Sequence, residues 1–230
     1  MKELAEFEDS FRDALSGKYS SPEFAALHKT IRECSLSTDY FFDLLSAFTQ
    51  DITKKSYKSY DEVLDYCRRS ANPVGRLMLE LFNVSDEKAF NYSDRICTAL
   101  QLTNFLQDVT EDHKKGRIYI PESELKEYSV SESDFKNSMF TANFREVVKF
   151  NLERIRIMFY EGRELIPYLS GLFKLEILWT IGGGEKILNK IEKNNFNVLN
   201  KRPKVNKLDF IFIFFNPFIY VRSKKHIQGK

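Results

Sequence analysis

The stretch QLTNFLQDVTEDHKKGRIYIP, residues 101–121, carries two carboxylates four residues apart behind a row of amides, and a Gly-Arg turn follows at once. At about 100° per residue on an α-helix, Gln101, Asn104, Asp108 and Asp112 fall within roughly 80° of arc, so two amides and two carboxylates share one face. Such a face suits a hard cation. Mg²⁺ takes oxygen ligands and keeps several waters, and one or two carboxylates plus substrate phosphates typically hold it. Asp108 and Asp112 fit that role, with a diphosphate as the matching anion. Taken alone, a DxxxD pair also reads as a solvated helix face. Its position weighs against that, because like charges near a helix C-terminus oppose both each other and the macrodipole. A bound cation removes the penalty.

Working outward, the chain is punctuated for helices and nearly free of strand signals. A first helix spans residues 4–15, and Ser21-Pro22 reads as an N-cap with proline at the first helical position, opening a second that runs to about Cys34. Ser37 caps a third. Ser59-x-x-Glu62 forms a capping box for a fourth, which carries Tyr66 and Cys67 and is broken by Pro73. After Ser85 an apolar-periodic helix continues to about Asp112, and a short one follows Pro121. Two more long helices cover about residues 142–169 and 172–194. Gly182, Gly183 and Gly184 interrupt the last. Each glycine costs a helix interior about 1 kcal/mol, so the triplet predicts a kink or the close approach of another helix. No strand precedes it, which excludes a phosphate-binding loop.

With 230 residues, 43% of them apolar, the chain supports one packed domain, and a net charge of +2 without blocks of like charge makes nucleic acid a poor partner. Phe is abundant at 21 residues, which suits a large core or a cavity for a hydrocarbon or a cation. Cys34, Cys67 and Cys97 have no metal-ligand spacing and read as buried thiols in a reducing, cytoplasmic setting. The acidic, amphipathic start MKELAEFEDSF does not read as a secretory signal.

Domain organisation is read as a helical domain over residues 1–200 and a basic, apolar tail over 201–230. Within the tail, residues 210–221 are almost wholly apolar, with Lys201, Arg202, Lys204 and Lys207 before them and Arg222, Lys224 and Lys225 after. The segment is too short to span a bilayer. It reads as a terminal helix packed on the bundle, as a segment resting on an anionic membrane surface, or as a strand of alternating Phe and Ile.

A second motif, DYCRRSANPVGRL, with Tyr66, Ala71, Val74 and Gly75, lies about one long helix upstream of the acidic stretch. Together the two motifs resemble the squalene and phytoene synthase family of head-to-head prenyltransferases. The likeness continues through LEILWTIGGGEKILNKIEKNNFNVLNKRPKV, and the wording is nearest the bacterial hopanoid-pathway branch of squalene and hydroxysqualene synthases.

That resemblance implies an all-α, isoprenoid-synthase-type helical bundle around an apolar cavity. It implies Mg²⁺-dependent joining of two farnesyl diphosphates, through presqualene diphosphate, towards squalene or hydroxysqualene; the phytoene-type alternative uses geranylgeranyl diphosphate. Asn104, Asp108 and Asp112 would be the magnesium ligands, with Gln101 beside them and Arg117 facing diphosphate. Tyr66 and Tyr119 would stand near the reacting carbons, and Ala71, Val74 and Gly75 would line the cavity. The implied partners are a prenyl diphosphate and enzymes of the same pathway; the tail, by its own composition, adds a membrane surface. The chemistry agrees: an allylic diphosphate ionises only if its leaving group is neutralised, and the resulting carbocation needs a dry aromatic wall. Each residue also has a plainer reading. Tyr66 and Tyr119 suit a core, Arg117 a helix C-cap, and Ala71, Val74 and Gly75 helix packing.

Two departures from the family pattern stand out. Gln107 occupies a position where many members carry Arg. The family's earlier aspartate-rich helix is not recognisable, and Asp9 and Asp13, within FEDSFRDAL, are a poor replacement. The bundle is therefore expected to be N-terminally incomplete. On this reading the chain is either an impaired prenyltransferase or a non-catalytic remnant that binds prenyl diphosphate or a partner synthase.

Overall fold

A computed structural model describes residues 1–219, so the end of the apolar tail and its last basic residues lie outside the described residues. Among the described residues there are helices and no strands. The helices are α1 (Lys2–Leu15), α2 (Pro22–Glu33), α3 (Asp39–Thr53), α4 (Tyr60–Ser70), α5 (Asn72–Leu81), α6 (Glu87–Gln107), α7 (Val109–Lys114), α8 (Glu122–Glu127), α9 (Glu132–Lys136), α10 (Ala142–Gly162), α11 (Gly171–Lys193) and α12 (Lys207–Phe215). A 3₁₀ turn, Arg163–Tyr168, follows α10.

The predicted starts hold where a cap marks them. Ser59 accepts the Glu62 N–H, although the Glu62 carboxylate turns to Lys54 and the Lys58 N–H instead of completing the box. Pro73 separates α4 from α5 at Ala71, where the backbone leaves regular helix. Three boundaries differ from expectation. Thr38, not Ser37, is the N-cap of α3. The helix from Ala142 ends at Gly162, because Pro167 lies ahead and the chain tightens into 3₁₀. The acidic helix ends at Gln107, and Asp108 caps it.

Helix α6 is the axis of the molecule, packed against α4, α5, α10, α11 and the 3₁₀ turn. Glycines set how closely two neighbours approach. A Cβ on Gly184 would lie 2.5 Å from Phe159 and 3.0 Å from Leu100, so the glycine run in α11 marks a close helix contact, and α11 continues through it unbroken. Gly75 likewise seats α5 against Ser93 and Cys97 of α6. One large apolar cluster surrounds this axis, while Phe11, Ile31, Leu36 and Leu45 form a smaller one among α1 to α3. Asp9 and Asp13 are exposed on α1. The cysteines are free, and Cys34 is exposed, contrary to the expectation of three buried thiols. The strand reading of the tail is corrected as well. Residues 207–215 are helical, capped by a reciprocal Asn206–Asp209 box.

Candidate active site

The site forms where α6 stops. Asp108 leaves helical geometry, with φ −106° and ψ 13°, while still donating its N–H to the Asn104 carbonyl at 2.9 Å. Aspartate favours such terminal positions because its side chain competes with regular helix hydrogen bonding. The shared face therefore holds for Gln101, Asn104 and Asp108 only, within about 60°, and Asp112 is carried by the short α7. Backbone contact persists across the break, with Asp112 N–H donating to the Asp108 carbonyl at 2.8 Å.

Beyond Asp112 the chain turns through a glycine that the geometry requires. Gly116 has φ +72°, its N–H donates to the His113 carbonyl and the Arg117 N–H donates to the Asp112 carbonyl, each at 2.9 Å. This is a Schellman cap. It fixes Arg117 one tight turn from Asp112, and the Arg117 guanidinium donates to the Asp51 backbone carbonyl at 3.0 Å. Its Nε is buried without a hydrogen-bond partner.

The loop after Gly116 is tied to the loop before α4: Ile118 N–H donates to Lys55 at 2.9 Å and Glu122 N–H to Tyr57 at 2.8 Å. Those bonds bring Tyr119 against Tyr57 and Tyr66, with ring centroids 5.5 and 5.9 Å away. Phe105 of α6 stacks on Tyr119 at 3.7 Å, almost parallel. Tyr66 is held well above the ordinary phenol range by burial and by hydrogen bonding to Asp51. Burial pushes Tyr119 up to about 12, with the Asp51 charge adding to it. Both phenols are neutral donors at physiological pH.

Electrostatically the site holds more negative charge than it comfortably accommodates. The Asp112 carboxyl is raised by burial, then by Asp108 and Asp51, against the pull of Lys115 and Arg117. Asp108 is neutralised by Arg202, whose guanidinium grips both its oxygens, one at 3.0 Å. The segment carrying Arg202 is strapped across the break. Gln107 donates to the Pro203 carbonyl at 2.6 Å and Thr110 to the Leu199 carbonyl at 2.9 Å. The Gln107 departure thus has a structural use.

The predicted residues divide into groups. Asp108, Asp112, Arg117, Tyr66 and Tyr119 converge; the exposed Asn104 and then Gln101 lie one and two turns back along α6. Ala71, Val74 and Gly75 sit at the α4–α5 junction, with Val74 exposed and Gly75 committed to α6. The space shared by Asp112, Arg117, Phe105 and Tyr119 is a cavity of only about 10 Å³. Asp51, Tyr57 and Arg202 belong to the site and were not predicted. A carboxylate in the last turn of α3, with no basic residue there, is the same anomaly that singles out Asp108 and Asp112, so Asp51 had a signal. Arg202 had none.

The chain matches the squalene/phytoene synthase family over residues 1–209. It belongs to that family. It is 31% identical to phytoene synthase 2, chloroplastic, of Oryza sativa subsp. japonica, over 96% of this chain and 57% of the relative. The structure is similar to squalene synthase HpnC from Alicyclobacillus acidocaldarius, with 34% identity and a TM-score of 0.81 over 84% of this chain and 74% of the other. It also superposes on a dehydrosqualene synthase with a TM-score of 0.87 over 96% of this chain and 78% of the other; at 22% identity that likeness concerns the fold. The chain spans little more than half the length of the curated relatives it matches. The all-α fold is that of the isoprenoid synthases, as the motifs implied.

Proposed function

We propose that this chain carries a diphosphate-binding site of a squalene-type prenyltransferase acting on farnesyl diphosphate. The observation that carries the reading is the juxtaposition of Asp108 and Asp112 with two guanidiniums and a wall of neutral aromatic rings. The donor set fits Mg²⁺: two carboxylates and the Asn104 amide are hard oxygen ligands, and the negative surplus at Asp112 is what a divalent cation relieves. When bound, that ion neutralises the leaving diphosphate. The chain's own residues do the rest. Arg117, and Arg202 once a cation has displaced it from Asp108, offer positive donors where charge develops on departure. Tyr57, Tyr66, Phe105 and Tyr119 present ring faces that stabilise an allylic cation and exclude water.

A second reading, phytoene-type chemistry on geranylgeranyl diphosphate, is favoured by the curated relatives, whose names are phytoene synthases. Chain length is the only chemical difference between the substrates, so paired assays with each diphosphate decide it. Binding without turnover, alone or alongside a partner synthase, is the outcome if neither gives product.

The test of the site is calorimetric. Farnesyl diphosphate is expected to bind more tightly with Mg²⁺ than with EDTA, and Asp108→Asn and Asp112→Asn are each expected to reduce that difference. Equal affinity with and without the metal would remove the assignment.

A further inference from the structure

Helix α12, KLDFIFIFF, is apolar on nearly every side, yet the bundle covers one edge of it. Asp209 and Ile213 are buried against α11, where Asp209 pairs with Lys186 and Lys190. Trp179 of α11 stacks on Phe214 at 4.8 Å and donates its indole N–H to the Phe214 carbonyl at 3.3 Å. The opposite edge is bare. Leu208, Ile211, Phe212 and Phe215 fall within an arc of about 100° and are 77%, 54%, 42% and 73% exposed. Phe218 and Ile219 add two more exposed apolar side chains. A continuous patch of this kind marks an interaction surface.

The charge beside it identifies the partner. Lys193, Lys201, Lys204 and Lys207 are exposed and form no ion pair among the described residues. Three of them, with Lys190 and Arg202, border a basin of about 500 Å³ next to α12. Asp209, the acidic residue of α12, is already neutralised by two lysines. A second copy of the chain is a poor fit, because a self-complementary interface would press these lysines together. A surface that is apolar beneath a layer of negative charge fits both halves. Nine helical residues extend about 13 Å, less than half a bilayer core of about 30 Å, so the helix lies along such a surface.

We infer that α12 and its flanking lysines seat this protein on an anionic phospholipid surface, with Leu208, Ile211, Phe212 and Phe215 inserted at the headgroup boundary and the lysines on lipid phosphates. The inference stands apart from the reaction catalysed. Its test is co-sedimentation of the 230-residue chain with vesicles of phosphatidylglycerol and phosphatidylcholine, against phosphatidylcholine alone. Binding is expected to the mixed vesicles and to weaken at high salt. Replacing Lys201, Lys204 and Lys207 together by Gln is expected to lower partitioning on the order of a hundredfold, at about 1 kcal/mol per lysine. Ile211→Asp/Phe215→Asp is expected to abolish it with helix content unchanged. As a check needing no variant, the single Trp, Trp179, is expected to be quenched by spin-labelled lipid. Absence of binding or of quenching, equal binding to neutral vesicles, or a lipid-free dimer that Phe215→Asp dissociates would each overturn the inference.

Discussion

Replacing Arg202 by Gln should move metal and diphosphate affinity in opposite directions. In the structure Arg202 occupies Asp108, so under the proposed function a cation has to displace it. The Arg202 side chain is 40% exposed and that of Asp108 18%, which places the pair among partly solvated ion pairs worth about 0.5–1 kcal/mol. Freeing Asp108 is therefore expected to tighten Mg²⁺ alone by about two- to fivefold. Once displaced, the same guanidinium is free to donate to a diphosphate, and a charge-assisted hydrogen bond contributes about 1.5–3 kcal/mol. Arg202→Gln is thus expected to weaken farnesyl thiodiphosphate, titrated with Mg²⁺, by about ten- to a hundredfold. Calorimetry measures both constants on one protein. Gln107→Ala serves as the control, since it loosens the strap at Pro203 and leaves the charge in place. If Arg202→Gln weakens both ligands and Gln107→Ala does the same, Arg202 only holds the strap and the displacement argument fails.

Three further outcomes are expected. Gly116→Ala meets no neighbouring atom but has to adopt φ +72°, so it should cost about 1 kcal/mol in a thermal melt and, by shifting Arg117, weaken diphosphate more than it weakens Mg²⁺. Gly183→Ala enters open space and should raise stability by up to about 1 kcal/mol. Gly184→Ala collides with Phe159, and its overpacking of about 1–3 kcal/mol should outweigh that gain, so the two variants should melt on opposite sides of the parent. For Asp209, burial raises the carboxyl, but the Asn206 N–H and ion pairs with Lys190 and Lys186 outweigh it and bring it down to about 2. A depressed carboxylate contributes stability above its unfolded value near 4 and loses it as pH falls towards 2. Trp179 fluorescence should report α12 docked at pH 4 and released near pH 2, a transition missing from Asp209→Asn.

Most of the helices were legible because their signals are local. Ser21-Pro22, Ser59 and Pro73 act through their own and adjacent peptide groups, so a reader of the sequence has the whole cause in view. The glycine run in α11 was readable only as a choice, kink or close contact, because the side chain that decides it, Phe159, is on another helix. The end of α6 was misplaced for a related reason. Apolar periodicity passes smoothly through Val109, which is buried, and what holds the chain at the break are Gln107 and Thr110 bonds to carbonyls about ninety residues away.

The site divides along the same line. Asp108, Asp112 and Arg117 lie within ten residues, and a cap turn sets the last two, so their proximity follows from local geometry. Tyr66 and Tyr119 were placed together by resemblance, but the physical cause is the backbone pairing of two loops, which spacing does not encode. Asp51 was readable in principle, since a carboxylate in a last helical turn that has no basic residue asks what compensates it; here its partners are the Tyr66 hydroxyl and the cation side of Arg117. Arg202 was not readable at all. In the sequence it is one of several cations flanking an apolar tail, and only the strap across α6 and α7 separates it from Lys201 and Lys204. That separation gives one short basic segment two roles: the guanidinium faces the candidate metal site, and the neighbouring lysines face outward. Asp108→Asn should therefore change metal-dependent binding and leave vesicle binding intact, and Phe215→Asp should do the reverse.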